Sequence, residues 1–245
     1  MLKMEINIYK YKTELHAHTS PVSSCADISP EELIQIYADA GYDAVCVTNH
    51  FTSRLMEMGA RQAAEFFLSD YHRAAEEGER LKMSVILGME LRFVENSNDY
   101  LLYGFGEDEV EGIYSYMSGT PEDFYRDWKR EGLLLIQAHP FRKGIVAKPP
   151  SVLDGIEVLN MAPGHNSCPA NSSVYGKRAL SERKDFILTA GSDCHHRGYE
   201  AFISLLTKEV PKNSAELVSV LRSHDYLFGM GASVIFPYGA LPSEQ

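Results

Sequence analysis

The sequence lacks the features of membrane proteins and of proteins that bind long nucleic acids. No apolar run approaches the roughly 20 residues that a membrane-spanning helix needs, and the start of the chain shows neither a signal peptide nor an anchor. We therefore expect a cytoplasmic protein. The net charge of −11 argues against a broad surface for long nucleic acid. A small anionic substrate is still compatible with it, because bound cations add positive charge that the sequence count omits.

Cysteine is also scarce, with four residues at Cys25, Cys46, Cys168 and Cys194. No two of them have CxxC spacing, which argues against a structural zinc knuckle. In a reducing compartment we expect free thiols. Cys194 lies in the segment GSDCH, and we interpret it as a small buried residue.

The chain has no internal repeat, low-complexity tract or linker, so we predict one domain over residues 1–245. Seven apolar runs read as strands, at about 10–15, 43–48, 84–90, 99–105, 133–138, 155–160 and 185–190. Helical patterns cover about 30–40, 60–81, 121–130, 171–183 and 214–223, and Ser29 to Glu32 read as a capping box with proline at the first helical position. Apolar strands separated by helices favour a parallel sheet covered on both faces. About seven β–α units favour a TIM-like barrel.

The residues that can bind metal cluster at the carboxyl ends of these predicted strands. They are His16, His18, His50, Glu90, His139, Asp193 and His195. Residues two apart on a strand point to the same side, so His16 and His18 can reach one ion. A lone histidine after a strand is more often a hydrogen-bonding group. The whole set predicts a shared metal site, because these strand ends meet on the active-site face of a barrel.

Imidazole and carboxylate ligands together suit zinc, manganese or iron. Glu90 can bridge two ions by offering one oxygen to each. Two ions about 3.5–4 Å apart can activate a hydroxide and stabilise both the attacking and the leaving oxygen of phosphoryl transfer. We therefore expect no covalent protein nucleophile.

The chain contains, in this order, the six segments ELHAHT, SPEEL, TNH, GME, AHP and GSDCHH, and the resemblance that rests on them covers nearly the whole chain. In this combination the sequence resembles the polymerase and histidinol phosphatase (PHP) superfamily of metal-dependent phosphoesterases. The resemblance implies a distorted seven-stranded β/α barrel with two or three divalent ions.

The resemblance also implies ligands for each ion. Those of the first would be His16, His18, Glu90 and Asp193. Glu90 and His139 would hold the second, together with Asp99, which we prefer to Asn98 because it can be anionic. The third would take His50 and His195, with Asp27 from the loop after His18.

Two positions depart from the family pattern. Asn49 replaces the aspartate of the usual TDH. If that aspartate orients the histidine, asparagine still accepts a hydrogen bond but adds no charge, so the third site would weaken. Asp27 in place of a histidine would be a harder ligand and would favour manganese or iron over zinc.

Arginines near the predicted strand ends are candidates for binding phosphate, since the guanidinium offers a bidentate fork. They are Arg92, Arg142 and Arg197, with Arg142 our first choice; each is otherwise a solvated surface charge. His165 is a candidate general acid or phosphate donor, or a residue that only stabilises its loop.

The sequence therefore favours hydrolysis of a phosphate monoester on a small soluble metabolite, either histidinol phosphate or a nucleotide, by metal-activated hydroxide. One alternative is a phosphodiesterase or exonuclease on short oligonucleotides. Another is a metal-binding module with weak or no catalysis. The sequence does not indicate an oligomeric state.

Overall fold

Residues 6–239 are described by a computed structural model, and they form a mixed α/β fold with two six-stranded sheets. Residues 1–5 and 240–245 of the predicted domain lie outside this described part. None of the described helices is both long and apolar enough to cross a membrane.

The first sheet has the order β12–β11–β10–β1–β2–β4. Its strands are Ser233–Ile235, Leu227–Met230, Ser204–Thr207, Tyr11–Ala17, Ala44–Val47 and Ser84–Leu87, in that order. The second sheet has the order β3–β5–β6–β7–β8–β9. Its strands are His50–Phe51, Met89–Leu91, Tyr100–Tyr103, Leu134–Gln137, Gly155–Asn160 and Ile187–Gly191. The seven predicted strands are all present, although the run at 84–90 is divided into β4 and β5. Strands β3, β10, β11 and β12 were not predicted.

Five of the six α-helices that lie wholly within the described residues match predicted ones. The helices are Pro30–Asp39, Ala60–Leu81, Val110–Tyr114, Pro121–Trp128, Pro169–Glu182 and Ser214–Ser223. The capping box is confirmed: the Glu32 amide donates to Ser29 Oγ at 3.3 Å, and the Ser29 amide donates to the Glu32 carboxylate at 3.4 Å. The short helix Val110–Tyr114 was missed.

The main hydrophobic core lies between the strands and the helices that cover them. Phe67 and Phe124, from two of these helices, are buried in it together with Tyr100 and Ile136 from the strands. This packing holds the strand ends in fixed positions. Those ends carry the polar residues described below.

The expectation of an all-parallel sheet is wrong for β6 and for β10 to β12, since β11 and β12 also pair antiparallel. Strand β6 is antiparallel to both β5 and β7, and β10 is antiparallel to β1. The connection from β5 to β6 contains no helix, so the chain cannot make the crossover that a parallel pair requires and turns back instead. As a consequence, Asp99, directly before β6, lies beside the end of β7, where its carbonyl accepts a hydrogen bond from the Ala138 amide.

Candidate metal centre

The structure brings the seven strand-end residues of the sequence analysis together around Glu90. Its Oε1 lies 3.3 Å from His16 Nε2 and 3.2 Å from His139 Nε2. Its Oε2 lies 3.4 Å from His18 Nε2 and 2.8 Å from His50 Nδ1. Each carboxylate oxygen therefore faces two imidazoles, as a bridging carboxylate would.

Asp193 closes the other side of the cluster. Its Oδ1 lies 3.4 Å from both His16 Nε2 and His18 Nε2, and 3.3 Å from His195 Nδ1. Its Oδ2 accepts a hydrogen bond of 2.7 Å from Arg142. One oxygen is thus shared among imidazoles, and the other is held by a guanidinium.

Three sets of side chains place potential ligand atoms within 4.8 Å of one another. The sets are His18–His50–His195, His16–His18–Asp193 and His50–Glu90–Asp99. His18 and His50 each belong to two sets, so the sets form one continuous centre.

The donor set fits divalent cations. Bonds of about 2.0–2.1 Å at a tetrahedral ion place ligand atoms about 3.3 Å apart, and the nitrogen–oxygen distances around Glu90 and Asp193 are close to that spacing. His16 Nε2, His18 Nε2 and Glu90 Oε2 are buried and form no hydrogen bond of normal geometry within the described chain. Buried polar atoms normally have partners, so these atoms are suited to an ion.

The charges of the centre act strongly on its imidazoles. Burial opposes protonation of His16, but Asp193, Glu157 and Glu90 outweigh it and raise the pKa of His16 well above its usual value. Burial also opposes protonation of His50, yet Glu90 raises its pKa to about 10. Burial followed by the neighbouring His195 and His50 lowers the pKa of His18. Since imidazole ligands must be neutral, cations would displace protons from His16 and His50 on binding.

Two residues of the cluster have a left-handed backbone. The φ angle is 30° at His139 and 51° at Asp193. Such conformations are uncommon outside glycine and persist where surrounding contacts enforce them. Here the His139 amide donates to Glu157 Oε2 at 3.0 Å, which helps to hold the turn after β7.

Glu157 was not identified from the sequence, although it orients two residues of the centre. It is buried in β8, and its Oε1 lies 3.0 Å from His16 Nδ1. This contact leaves His16 Nε2 directed at Glu90 and Asp193. The signal was present in the segment GIEVLN, where a charged residue interrupts an apolar strand, since buried charges need a specific partner. Glu14 in β1 is the same kind of residue, and it accepts hydrogen bonds from the amides of His16 and Ser192.

Asn49 helps to orient His18, through Ser23. Its side-chain hydrogen bonds within the described residues go to Thr19 and Ser23, so it does not orient the His50 ring as the sequence predicted. Its Oδ1 accepts hydrogen bonds from the Thr19 amide at 2.7 Å and from Ser23 Oγ at 2.9 Å. Ser23 Oγ in turn lies 3.2 Å from His18 Nδ1. Because the serine hydroxyl is engaged by Asn49, it accepts from His18 Nδ1–H and leaves His18 Nε2 for an ion.

A cavity of about 300 Å³ opens onto the cluster. Three predicted substrate residues, Arg92, Arg142 and His165, line it. Arg142 also donates to Asn160 Oδ1 at 2.9 Å. Arg92 instead binds Asp99 through two hydrogen bonds of 2.6 and 2.7 Å, so it neutralises a carboxylate beside the centre.

Arg197 and Asp27 are placed differently from the sequence expectation. Arg197 pairs with Glu32 and is not among the described residues that line the cavity. The Asp27 side chain is 69% exposed and lies 3.1 Å from His196 Nδ1. The loop after His18 therefore turns Asp27 away from His50 and His195.

The same loop places Cys25, two residues before Asp27, on the side of the cavity that His50 and His195 line. Burial raises the pKa of the Cys25 thiol, but hydrogen bonds to His195 and His50 outweigh it and lower the pKa to about 6. Cys25 also lines the cavity. The sequence could not distinguish these two residues, because they are two positions apart in an irregular loop whose direction depends on the fold.

Comparisons with known proteins agree with the motifs. The model of the PHP domain family matches residues 14–146, more than half of the chain. No curated protein matches the chain.

Solved structures show the fold. A two-domain protein from Bacteroides vulgatus with a predicted PHP-like metal-dependent phosphoesterase has a TM-score of 0.61 at 15% identity. That match covers 90% of this chain but only 64% of the other, so this chain spans less than two thirds of that protein. A protein from Bifidobacterium adolescentis, proposed to be a metal-dependent phosphoesterase, has a TM-score of 0.53 at 15% identity, over 86% of this chain and 96% of its own. An amidohydrolase from Chromobacterium violaceum has a TM-score of 0.50 at 13% identity, over 77% and 89% of the two chains.

We expect Glu157→Gln to lower the affinity for divalent metal by about 10–100-fold, the usual effect of losing a group that orients a ligand. The glutamine side chain would remove the negative charge that faces His16. Its NH2 group could not accept the hydrogen bonds that the His139 amide and the Asn160 side chain now donate to the carboxylate. Competition with a chromophoric chelator measures the affinity. Glu182→Gln, at an exposed residue paired with Arg178, is the matched control. Unchanged affinity in a folded Glu157→Gln protein would show that Glu157 does not orient the centre.

Proposed function

We propose that this chain, which belongs to the PHP domain family, is a metal-dependent phosphoesterase that hydrolyses a phosphate monoester on a small soluble metabolite. The observation that carries the proposal is the buried Glu90, whose two oxygens each face two imidazoles beneath a cavity with an arginine in its wall. The small cavity suits a compact ester, and the net charge of −11 disfavours a long polyanion. Histidinol phosphate and nucleotides both belong to this class.

We propose three groups of ligands for two or three ions of zinc, manganese or iron. The first group is His16, His18, Glu90 and Asp193. The second is Glu90, His139 and Asp99. The third is His50, His195 and Cys25, with Cys25 taking the place that the sequence assigned to Asp27. A thiolate is a softer ligand than a carboxylate, so this exchange favours zinc or iron at the third position over manganese.

The centre would combine metal and protein groups in the reaction. Bound divalent ions supply Lewis acidity and make water a nucleophile near neutral pH. Arg142 is fixed through Nη2 by Asp193 and Asn160, and it lines the cavity, so its guanidinium would bind and orient the phosphate. His165 is exposed at the cavity wall, where it would donate a proton to the leaving oxygen.

The arrangement of the two sheets supports a distorted barrel of seven strands as part of the same proposal. Strands β2 and β3 follow each other closely along the chain, as do β4 and β5. The Gly88 amide bonds to the Val47 carbonyl, and the Glu90 amide bonds to that of Asn49, so pairing continues from one sheet into the other. On the opposite side, Ala17 forms a parallel bridge with Cys194, just after β9.

Turnover of a panel of phosphomonoesters and dinucleotides, with added Mn²⁺, Zn²⁺ or Fe²⁺, tests the function. We expect hydrolysis of monoesters that a chelator abolishes and added metal restores. Glu90→Gln should lower kcat by at least about 100-fold, because the bridging charge is lost. Cleavage of dinucleotides alone would replace the proposal with a phosphodiesterase. A protein that binds metal and hydrolyses none of these compounds would be a binding module.

Arg142→Ala should raise KM for a phosphomonoester by about 10-fold or more, as expected for the loss of a charge-assisted hydrogen bond. Steady-state kinetics measure the change. Arg197→Ala is the matched control, because that arginine pairs with Glu32 outside the cavity, and its KM should stay near that of the wild type. If kcat/KM is the same in Arg142→Ala and the wild type, Arg142 does not bind the substrate.

Cys25→Ala should lose the third ion, whereas Asp27→Ala should keep the metal content of the wild type. Of these two side chains, that of Cys25 lines the cavity together with His50 and His195, whereas that of Asp27 is 69% exposed and contacts His196. Metal analysis of dialysed protein gives the number of ions per chain. Loss of metal from Asp27→Ala with full retention in Cys25→Ala would return the assignment to Asp27.

A further inference from the structure

Asn160, the last residue of β8, is buried at the edge of the metal centre. It follows Glu157 by three positions, and residues three apart on a regular strand face opposite sides of the sheet. The pairing register of β8 with β9 shifts between Glu157 and Leu159. Both side chains therefore reach the same side of the sheet, where Asn160 Nδ2 donates a hydrogen bond of 2.9 Å to Glu157 Oε2.

The two ends of the Asn160 amide meet groups of opposite hydrogen-bonding character. Its Nδ2 also donates to Asp193 Oδ2, at 3.1 Å. Its Oδ1 accepts from Arg142 Nη2, at 2.9 Å. An ionised carboxylate can only accept hydrogen bonds and a guanidinium can only donate them, so one orientation of the amide satisfies all three neighbours. Neither a carboxylate nor an apolar side chain could do the same at this position.

The same amide oxygen also holds the loop that follows β8. Asn160 Oδ1 accepts from the Ala162 amide at 3.3 Å and from Ser167 Oγ at 3.1 Å. These two residues lie on either side of His165, which lines the cavity and is the proposed proton donor. One side chain thus contacts a proposed metal ligand, the arginine proposed to bind phosphate and the loop that carries His165.

Arg142 depends on Asn160 for its orientation. Both hydrogens of Arg142 Nη2 are used, one for Asn160 and one for Asp193 Oδ2 at 2.7 Å. Arg142 Nη1 bonds to none of the described residues, and the side chain lines the cavity, so this nitrogen is available to an anion there. Without the amide, a single contact with Asp193 would hold the guanidinium, and the group could turn away from the cavity.

We propose that Asn160 is a positioning residue of the reaction. It holds Arg142 and the loop of His165 in a fixed relation to Asp193, so that the phosphate meets the metal centre in one orientation. The inference deepens the proposed function and rests on it. Because Asn160 acts on the phosphate through Arg142, the effects of removing the two side chains should not add.

A double-mutant cycle on the binding of inorganic phosphate to metal-loaded protein tests the inference, with calorimetry as the readout. Asn160→Ala should weaken phosphate binding at least about fivefold, on the order of the loss of one hydrogen bond. The double variant Asn160→Ala/Arg142→Ala should bind phosphate no more weakly than Arg142→Ala alone. Asn213→Ala is the matched control, because that amide caps the helix Ser214–Ser223 and does not line the cavity. If Asn160→Ala does not fold, Asn160→Thr takes its place in the cycle, since threonine suits a strand.

An additive double variant would overturn the inference, because Asn160 would then act independently of Arg142. Wild-type affinity for phosphate in Asn160→Ala would also overturn it. If the wild type binds no phosphate and hydrolyses no monoester, the proposed function fails separately, and the crystal structure of the Asn160 variant tests the positioning alone. An Arg142 side chain displaced from Asp193 would support the inference, and an unmoved one would reject it.

Discussion

The structure depends on one buried carboxylate, Glu90, and on the need to balance its charge. Glu90 lies among four imidazoles at the junction of the two sheets, with Asp193 close by. An ionised carboxylate away from water is costly unless cations or donors surround it. In the protein alone, protons on His16 and His50 provide this balance, since burial is outweighed by carboxylates and the pKa of each is raised. Divalent cations would provide it more completely, which is why we interpret the cluster as a metal centre.

Neighbouring residues orient the imidazole ligands by contacting Nδ1, which leaves Nε2 directed at the centre. Glu157 holds His16 through Nδ1, and Ser23, itself held by Asn49, holds His18 through the same atom. These contacts lie on strands and on the tight turns that follow them, which position side chains more accurately than long loops do. The reversed direction of β6 has the same effect, because it brings Asp99 to within 3.7 Å of His139.

The sequence could predict those parts of the centre that follow from local pattern. Apolar runs ending in histidine or a carboxylate located seven residues of the cluster, because residues at successive strand ends must meet on one face. Glu157 was missed because its role depends on β8 lying opposite His16, which is a tertiary contact. Asp27 was taken from the resemblance to the family, and Cys25 was not considered, because the direction of an irregular loop has no periodic signal. The sense of β6 depends on a short connection that sequence reasoning treated as one more β–α unit. Strands β10 to β12 form antiparallel pairs, which lie outside the β–α pattern that guided the prediction.

The most direct measurement is the location of bound metal by anomalous X-ray diffraction, after incubation with Mn²⁺ or Zn²⁺. We predict peaks at Glu90, in contact with its carboxylate and with the imidazoles of His16, His18, His50 and His139. A crystal in which these side chains keep their positions while the metal binds elsewhere, or does not bind at all, would contradict the account.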